Sequence, residues 1–315
     1  DTGFYLLSYF SFLFLAVGIY KILTLLNFSA KESFYTVLTF SSFGIVLVLI
    51  PSLQTDIVVS AFIIASIALF MLAHNKKSNS LIYFSALSYS LALGVKTTAF
   101  IVFPAYLIII FTYIFLNKID FKKALLLFSF LILNTIIFSS YNYILNYLDF
   151  NNFFSNKMLS LEHSQKLNFY NIAQNLVYLF SDFLGFKNGI LKVFSDNLEN
   201  SLLSLLNIQS ARVDNVVMFD ERMVGFSFGG IFLFVPCLIV SLFKALKLKT
   251  KETLLILAFS STFIINFLLT AAIFPYSPFI IRYFLLFFAL SAFSLVYSYS
   301  NSFIRNLVIV LCSFN

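Results

Sequence analysis

The chain has 315 residues, of which 61% are hydrophobic and 10% are charged, and its mean hydropathy is +0.97. This composition excludes a water-soluble globular protein, in which apolar residues make up about 45–50% of the chain. The formal net charge of +7 does not indicate a nucleic-acid partner, because a surplus of lysine among so few charges is typical of cytoplasmic loops beside anionic membrane lipids.

Apolar runs that cross, or nearly cross, a bilayer follow one another along the chain. They cover residues 4–26, 34–50, 57–73, 81–95, 97–116, 124–143, 225–243, 253–273, 283–299 and 306 onward. These runs lack the alternation of polar and apolar residues that a membrane-spanning barrel requires. The sequence therefore predicts an all-α, polytopic helical membrane protein with about ten spans, the last of them truncated.

Lysines in alternate short connections define the predicted cytoplasmic side by the positive-inside rule. They are Lys31, Lys76, Lys77, Lys118, Lys122, Lys123, Lys244, Lys247, Lys249 and Lys251. The opposite side receives residues 51–56, the junction at Lys96, the segment 144–224 and residues 274–282. We expect that side to face the periplasm or the exterior, with the protein in a bacterial inner (plasma) membrane.

This topology divides the chain into three parts. Residues 1–143 form a first transmembrane bundle of about six spans, and residues 225–315 form a second bundle of about four. Between them, 144–224 is an extracytoplasmic segment in which residues 168–186 and 190–208 have the apolar periodicity of amphipathic helices. We expect both helices to lie on the outer membrane surface, and a small self-contained outer domain is the alternative.

One cation interrupts the apolar stretch SLALGVKTTAFIVFPAYLIII, residues 90–110. A charge near the bilayer centre costs about 2.5–3.5 kcal/mol, so such a residue usually meets a partner or a cavity. Lys96 has two interpretations: it snorkels to the outer interface, or it binds an anion just below the outer surface. The second is favoured by further charged residues predicted at the same level, which are Asp56, Asp220, Glu221, Arg222 and Arg282.

Four stretches carry a resemblance to a known family: IPSLQTDIVVSAFIIASIALF (50–70), LALGVKTTAFIVFPAYLII (91–109), GFSFGGIFLFVP (225–236) and YSPFIIRYFLL (276–286). Their order resembles the polytopic GT-C glycosyltransferases, which include bacterial relatives of protein mannosyltransferases and the aminoarabinose transferases. The resemblance implies transfer of a sugar from a polyprenyl-phosphate donor to a lipid, glycan or protein acceptor on the extracytoplasmic side. It also implies that Lys96 and Arg282 contact the donor phosphate and that Asp56 lines the cavity.

The residues fit such chemistry. A leaving phosphate needs cations, and the acceptor hydroxyl needs a carboxylate that removes its proton. Lys96 and Arg282 are the candidate cations, and we place Arg222 and Tyr283 in the same donor-phosphate group. The candidate carboxylates are Asp56, Asp220 and Glu221, although residues 219–222 also fit a solvated turn. The family's best-known catalytic acid lies in its first outer loop, which we expect upstream of Asp1.

No cofactor is predicted. A divalent metal at Asp220 and Glu221 would need more oxygen ligands than the sequence clusters there. Two other functions stay open: an O-antigen-type polysaccharide polymerase or ligase, and a lipid or oligosaccharide flippase that performs no chemistry. Charges or broken helices at the midplane of several spans are typical of a flippase. Here the ionisable residues are predicted at one face of the membrane, which favours an active site that opens to the surface. The expected partners are the donor, the acceptor and membrane lipids, without nucleic acid.

Overall fold

The computed structural model describes residues 2–51, 55–153, 168–184, 189–208, 229–276, 278–306 and 308. Throughout these ranges the chain is helical, with no β-strand. The first part contains α1 (Thr2–Leu25), α2 (Ala30–Ser41), α3 (Gly44–Leu49), α4 (Asp56–Lys76), α5 (Asn79–Val95), α6 (Thr98–Asn117), α7 (Phe121–Asn134) and α8 (Ser140–Phe150). A π-helical turn, Thr135–Ser139, joins α7 to α8, so that Phe121–Phe150 is one continuous helix.

Two helices follow in the segment predicted to lie outside the membrane, α9 (Phe169–Leu184) and α10 (Gly189–Leu205). The last part contains a π-helical turn (Gly230–Phe234) that leads into α11 (Val235–Leu248), and then α12 (Lys251–Ile273). A 3-10 helix (Pro278–Tyr283), α13 (Phe284–Ser291) and a second 3-10 stretch (Ala292–Ser300) follow. The predicted amphipathic helices are therefore present, and their position relative to the membrane stays a prediction.

Five helices in the described ranges are long and apolar enough to cross a membrane. They are Tyr5–Leu25, Asp56–Lys76, Thr98–Asn117, Phe121–Phe150 and Lys251–Ile273, and the shorter apolar helices Asn79–Val95 and Phe284–Ser300 accompany them. The prediction of an all-α, polytopic membrane protein is confirmed. The number of spans stays a prediction.

The run 34–50 is not one helix, because α2 ends at Ser41 and α3 starts at Gly44. The Ser41 hydroxyl donates to Val37 O at 2.8 Å and the Ser42 hydroxyl to Thr39 O at 2.8 Å. Serine hydroxyls that bond to carbonyls of the preceding turn compete with the helix ladder and favour bends. The break separates two helices that are each too short to span a bilayer.

The centre of the bundle is α4, which packs against α1, α5 and α13. Small and hydroxylated residues let these helices approach closely and hydrogen-bond, as is typical of membrane interfaces. The Ser66 hydroxyl lies 3.2 Å from that of Ser85 and 3.0 Å from that of Tyr106, which ties α4 to α5 and α6. All three side chains are fully buried.

Gly18 lies where α1 packs closely against α4. A Cβ atom there would lie 2.7 Å from Ile64 Cγ2, and Ile64 is fully buried and β-branched, so it has little room to yield. We expect Gly18→Ala to destabilise the protein by about 1–3 kcal/mol through overpacking. Thermal unfolding in detergent measures this. Gly3→Ala in the same helix is the matched control, because no atom lies within 4 Å of its Cβ position, and equal behaviour of the two variants would contradict the packing argument.

Successive helices such as α4 and α5 run antiparallel, so the connections between them lie at two ends of the bundle. Helix α4 runs from Asp56 to Lys76 and α5 returns from Asn79 to Val95, so Asp56 and Lys96 meet at one end. At the other end, Asn27 after α1 donates to Glu252 at the start of α12, at 3.2 Å. The candidate site residues of α4 and the α5–α6 connection therefore share the end opposite the lysine-rich connections.

Candidate functional site

Lys96 lies in the two-residue connection between α5 and α6, with an extended backbone (φ −158°, ψ 138°). The α5 carbonyls that precede it are satisfied by the neighbouring span, since Tyr143 donates to Leu93 O at 2.6 Å. Tyr89 donates to Ala99 O at 2.9 Å, which fixes the start of α6. The backbone on both sides of Lys96 is thus held by side chains of packed helices, and the lysine projects from a rigid corner.

The Lys96 side chain turns to Asp56. Its Nζ lies 2.6 Å from Asp56 Oδ1, and the two side chains are 17% and 3% exposed. Asp56 is the first residue of α4 and Lys96 follows the last residue of α5. Each charge therefore sits at the helix end whose dipole stabilises it, the carboxylate at an N-terminus and the ammonium at a C-terminus.

Tyr283 and Arg282 complete the cluster from the opposite half of the chain. Lys96 Nζ lies 4.6 Å from the centroid of the Tyr283 ring, and Arg282 Cζ lies 5.3 Å from the same centroid. Both cations are within cation–π range of one aromatic ring. Their charged groups are therefore within about 10 Å of each other, the largest separation that these two distances allow.

Asp56 uses one carboxylate oxygen for Lys96, whereas Oδ2 is buried without a hydrogen-bond partner in the described part of the chain. A buried carboxylate oxygen left unpaired is costly, so it is a position where a ligand donor gains a strong hydrogen bond. Asp56, Lys96 and Arg282 together carry one negative and two positive charges. The two cations can bind an anion, and Asp56 adds an acceptor for a hydroxyl.

Three predicted site residues, Asp220, Glu221 and Arg222, lie outside the described residues. Of the predicted site, the structure brings together Asp56, Lys96, Arg282 and Tyr283, from three separate parts of the sequence. Among the residues that the structure describes, no group of three or more His, Cys, Asp or Glu side chains is arranged to hold a metal ion.

Sequence reasoning missed three polar residues beside the site. Asn175 and Asp182 on α9 are 5% and 3% exposed, and Tyr276 follows α12. Tyr276 donates its hydroxyl to Asp182 Oδ2 at 2.8 Å. The available signal was the seven-residue spacing of Asn175 and Asp182, which puts two polar side chains on one face next to the apolar stripe of α9.

No protein-family model matches the chain, and no curated protein matches it. Among solved structures, the chain is similar to the crystal structure of the oligosaccharyltransferase of Archaeoglobus fulgidus in its apo form. The match has a TM-score of 0.51 and 11% sequence identity, and covers 96% of this chain and 42% of the archaeal one. This chain therefore spans less than half of that enzyme. At this identity the likeness shows the fold alone.

Proposed function

We propose that the protein is an integral-membrane glycosyltransferase that transfers a sugar from a polyprenyl-phosphate donor to an acceptor on the extracytoplasmic side. The observation that carries the proposal is the cluster of Asp56, Lys96, Arg282 and Tyr283 at one end of an apolar helical bundle. The fold likeness to an archaeal oligosaccharyltransferase supports it.

In this proposal Lys96 and Arg282 bind the donor phosphate. Lys96 offers three ammonium donors, of which one points to Asp56, and Arg282 offers a planar fork that suits two phosphate oxygens. Charge accumulates on the phosphate as the sugar leaves, so cations already in place stabilise the transition state more than the bound donor. The Tyr283 ring is within cation–π range of both cations.

Asp56 is the proposed base. The acceptor hydroxyl oxygen attacks the anomeric carbon, the carbon–oxygen bond to the phosphate breaks, and the phosphate leaves with the electron pair. The acceptor proton passes to Asp56 Oδ2, the oxygen that Lys96 does not contact. On transfer the Asp56 carboxyl becomes neutral while the phosphate gains a second negative charge, so Lys96 and Arg282 face the same total negative charge before and after the step.

A transfer assay tests the proposal with the full chain in lipid nanodiscs. Polyprenyl-phosphate sugars with a radiolabelled sugar are incubated with membrane lipids, glycans and peptides as acceptors. We expect label to leave the polyprenyl carrier and appear on one acceptor class. In proteoliposomes, movement of labelled donor between leaflets with the sugar–phosphate bond intact would instead support a flippase and refute the proposal.

A further inference from the structure

Helix α9, in the segment between the two transmembrane bundles, is fastened to the short connection that carries Arg282 and Tyr283. This connection runs from Phe274 to Tyr283, between the end of α12 and the start of α13. One face of α9 meets it through residues spaced three and four apart, which are Asn175, Tyr178 and Asp182.

Asn175 satisfies the end of α12. Its Nδ2 donates to Ala271 O at 3.0 Å and to Phe274 O at 2.8 Å. The last carbonyls of a helix have no partner within the helix, and inside a membrane protein they require one from elsewhere. A side chain nearly a hundred residues earlier therefore binds the carbonyls at the point where α12 ends and the connection begins.

Asp182 and Tyr178 hold the middle of the connection. The Tyr276 hydroxyl donates to Asp182 Oδ2 at 2.8 Å, and the rings of Tyr178 and Tyr276 have centroids 4.7 Å apart. Asp182 and Tyr178 are each 3% exposed, whereas Tyr276 is half-buried. A hydrogen bond to a buried carboxylate is short and strong compared with one between neutral groups.

The connection also contacts the cluster of Asp56, Lys96, Arg282 and Tyr283. The ring of Phe274, whose carbonyl binds Asn175, lies 6.3 Å from the ring of Tyr283. Tyr283 in turn lies 4.6 Å from Lys96 Nζ. A continuous path of contacts thus runs from α9 through Phe274 and Tyr283 to Lys96.

We propose that Asn175, Asp182 and Tyr276 are positioning residues that set the place of Tyr283 and Arg282 against Lys96, and that the segment carrying α9 governs the anion site through them. The value of this placement for catalysis rests on the proposed function. The placement itself does not, because it is a statement about where the Tyr283 ring lies.

A fluorescence experiment reads the placement directly. The chain contains no tryptophan, so Tyr283→Trp introduces a single indole beside Lys96. Quenching of that indole by iodide is measured in nanodiscs without donor or acceptor. In combination with Tyr276→Phe or Asn175→Leu, we expect the quenching constant to rise at least about twofold, since the ring is no longer held in the cluster. Asp182→Asn keeps a carbonyl acceptor for Tyr276 and should give an intermediate rise.

The matched control is Leu179→Ala on the same helix, which removes buried apolar packing without cutting a hydrogen bond to the connection. The quenching constants are compared between variants whose melting temperatures fall by similar amounts relative to wild type. A rise in quenching confined to the polar variants supports the proposal, whereas unchanged quenching in Tyr276→Phe, or the same rise in Leu179→Ala, overturns it. If Asn175→Leu does not accumulate as folded protein, the test of the proposal rests on Tyr276→Phe, which removes only one oxygen atom. Loss of transfer in Lys96→Gln together with unchanged quenching in Tyr276→Phe would refute only the positioning role.

Discussion

We expect Lys96→Gln to lower the rate of the proposed sugar transfer about 100- to 1000-fold, because it removes one preorganised cation from the leaving phosphate. Glutamine keeps a polar side chain with hydrogen-bond donors, although one bond shorter than lysine, so the substitution chiefly removes the charge. Lys96→Arg restores part of the rate, since its fork-shaped guanidinium replaces a compact ammonium 2.6 Å from Asp56 Oδ1. Initial rates with labelled donor, at equal abundance of folded protein, provide the measurement.

The control for this experiment is a variant of Lys244, a lysine that makes a cation–π contact with another tyrosine. Lys244 Nζ lies 4.1 Å from the ring centroid of Tyr297, on a helix whose following residues form the lysine-rich connection. Lys244→Gln removes the same charge and the same type of contact away from the site. Its transfer rate should stay within about threefold of wild type, a difference of less than 1 kcal/mol in activation free energy. A Lys96→Gln rate equally close to wild type would refute the phosphate role.

The pair of Asp56 and Lys96 gives the second large effect, which is on stability. Lys96→Met leaves the 3% exposed Asp56 carboxylate without its cation. Breaking a buried ion pair in this way costs about 3–5 kcal/mol, and we expect the lower end because Lys96 is 17% exposed. Asp56→Leu should cost a similar amount. Reversible unfolding with a denaturing detergent, followed by circular dichroism, measures both free energies of unfolding.

The double variant separates stability from catalysis. Two apolar side chains in place of a buried ion pair are often neutral or stabilising, so Lys96→Met with Asp56→Leu should unfold within about 1 kcal/mol of wild type. Transfer should remain absent, because neither the cation nor the base is present. If the double variant were as unstable as the sum of the single variants, the two charges would not be coupled, which would contradict the ion pair of Asp56 and Lys96.

Much of the fold was predictable from the sequence because an apolar run of about twenty residues in a bilayer has few alternatives to a helix. The exceptions are local. The break at Ser41 and Ser42 depends on hydroxyls that bond to the preceding turn, and such residues are equally common in unbroken membrane helices. Apolar periodicity contains no information on that choice.

Four of the predicted site residues lie together in the structure, but the pairing of their charges was not predictable. Lys96, Asp56 and Arg282 were conspicuous as charges among apolar residues at one predicted level of the membrane. That Asp56 meets Lys96, 40 residues away, depends on the antiparallel packing of α4 and α5. The contacts of Asn175 and Asp182 with the connection after α12 depend on packing across more than 90 residues, for which local periodicity carries no signal.

The length of α5 has a consequence for where the substrate lies in depth. Its 17 residues rise about 25 Å, which is less than the roughly 30 Å thickness of the hydrocarbon layer. If its lysine-rich end is at one interface, the corner at Lys96 ends several ångströms beneath the other, and any tilt deepens it. A helix shorter than the hydrocarbon layer causes the bilayer to thin locally, so lipid head groups and water lie deeper beside Lys96 than elsewhere in the membrane. The phosphate of an embedded carrier would then reach Lys96 without leaving the plane of its own leaflet, while its isoprenoid tail stays among the acyl chains.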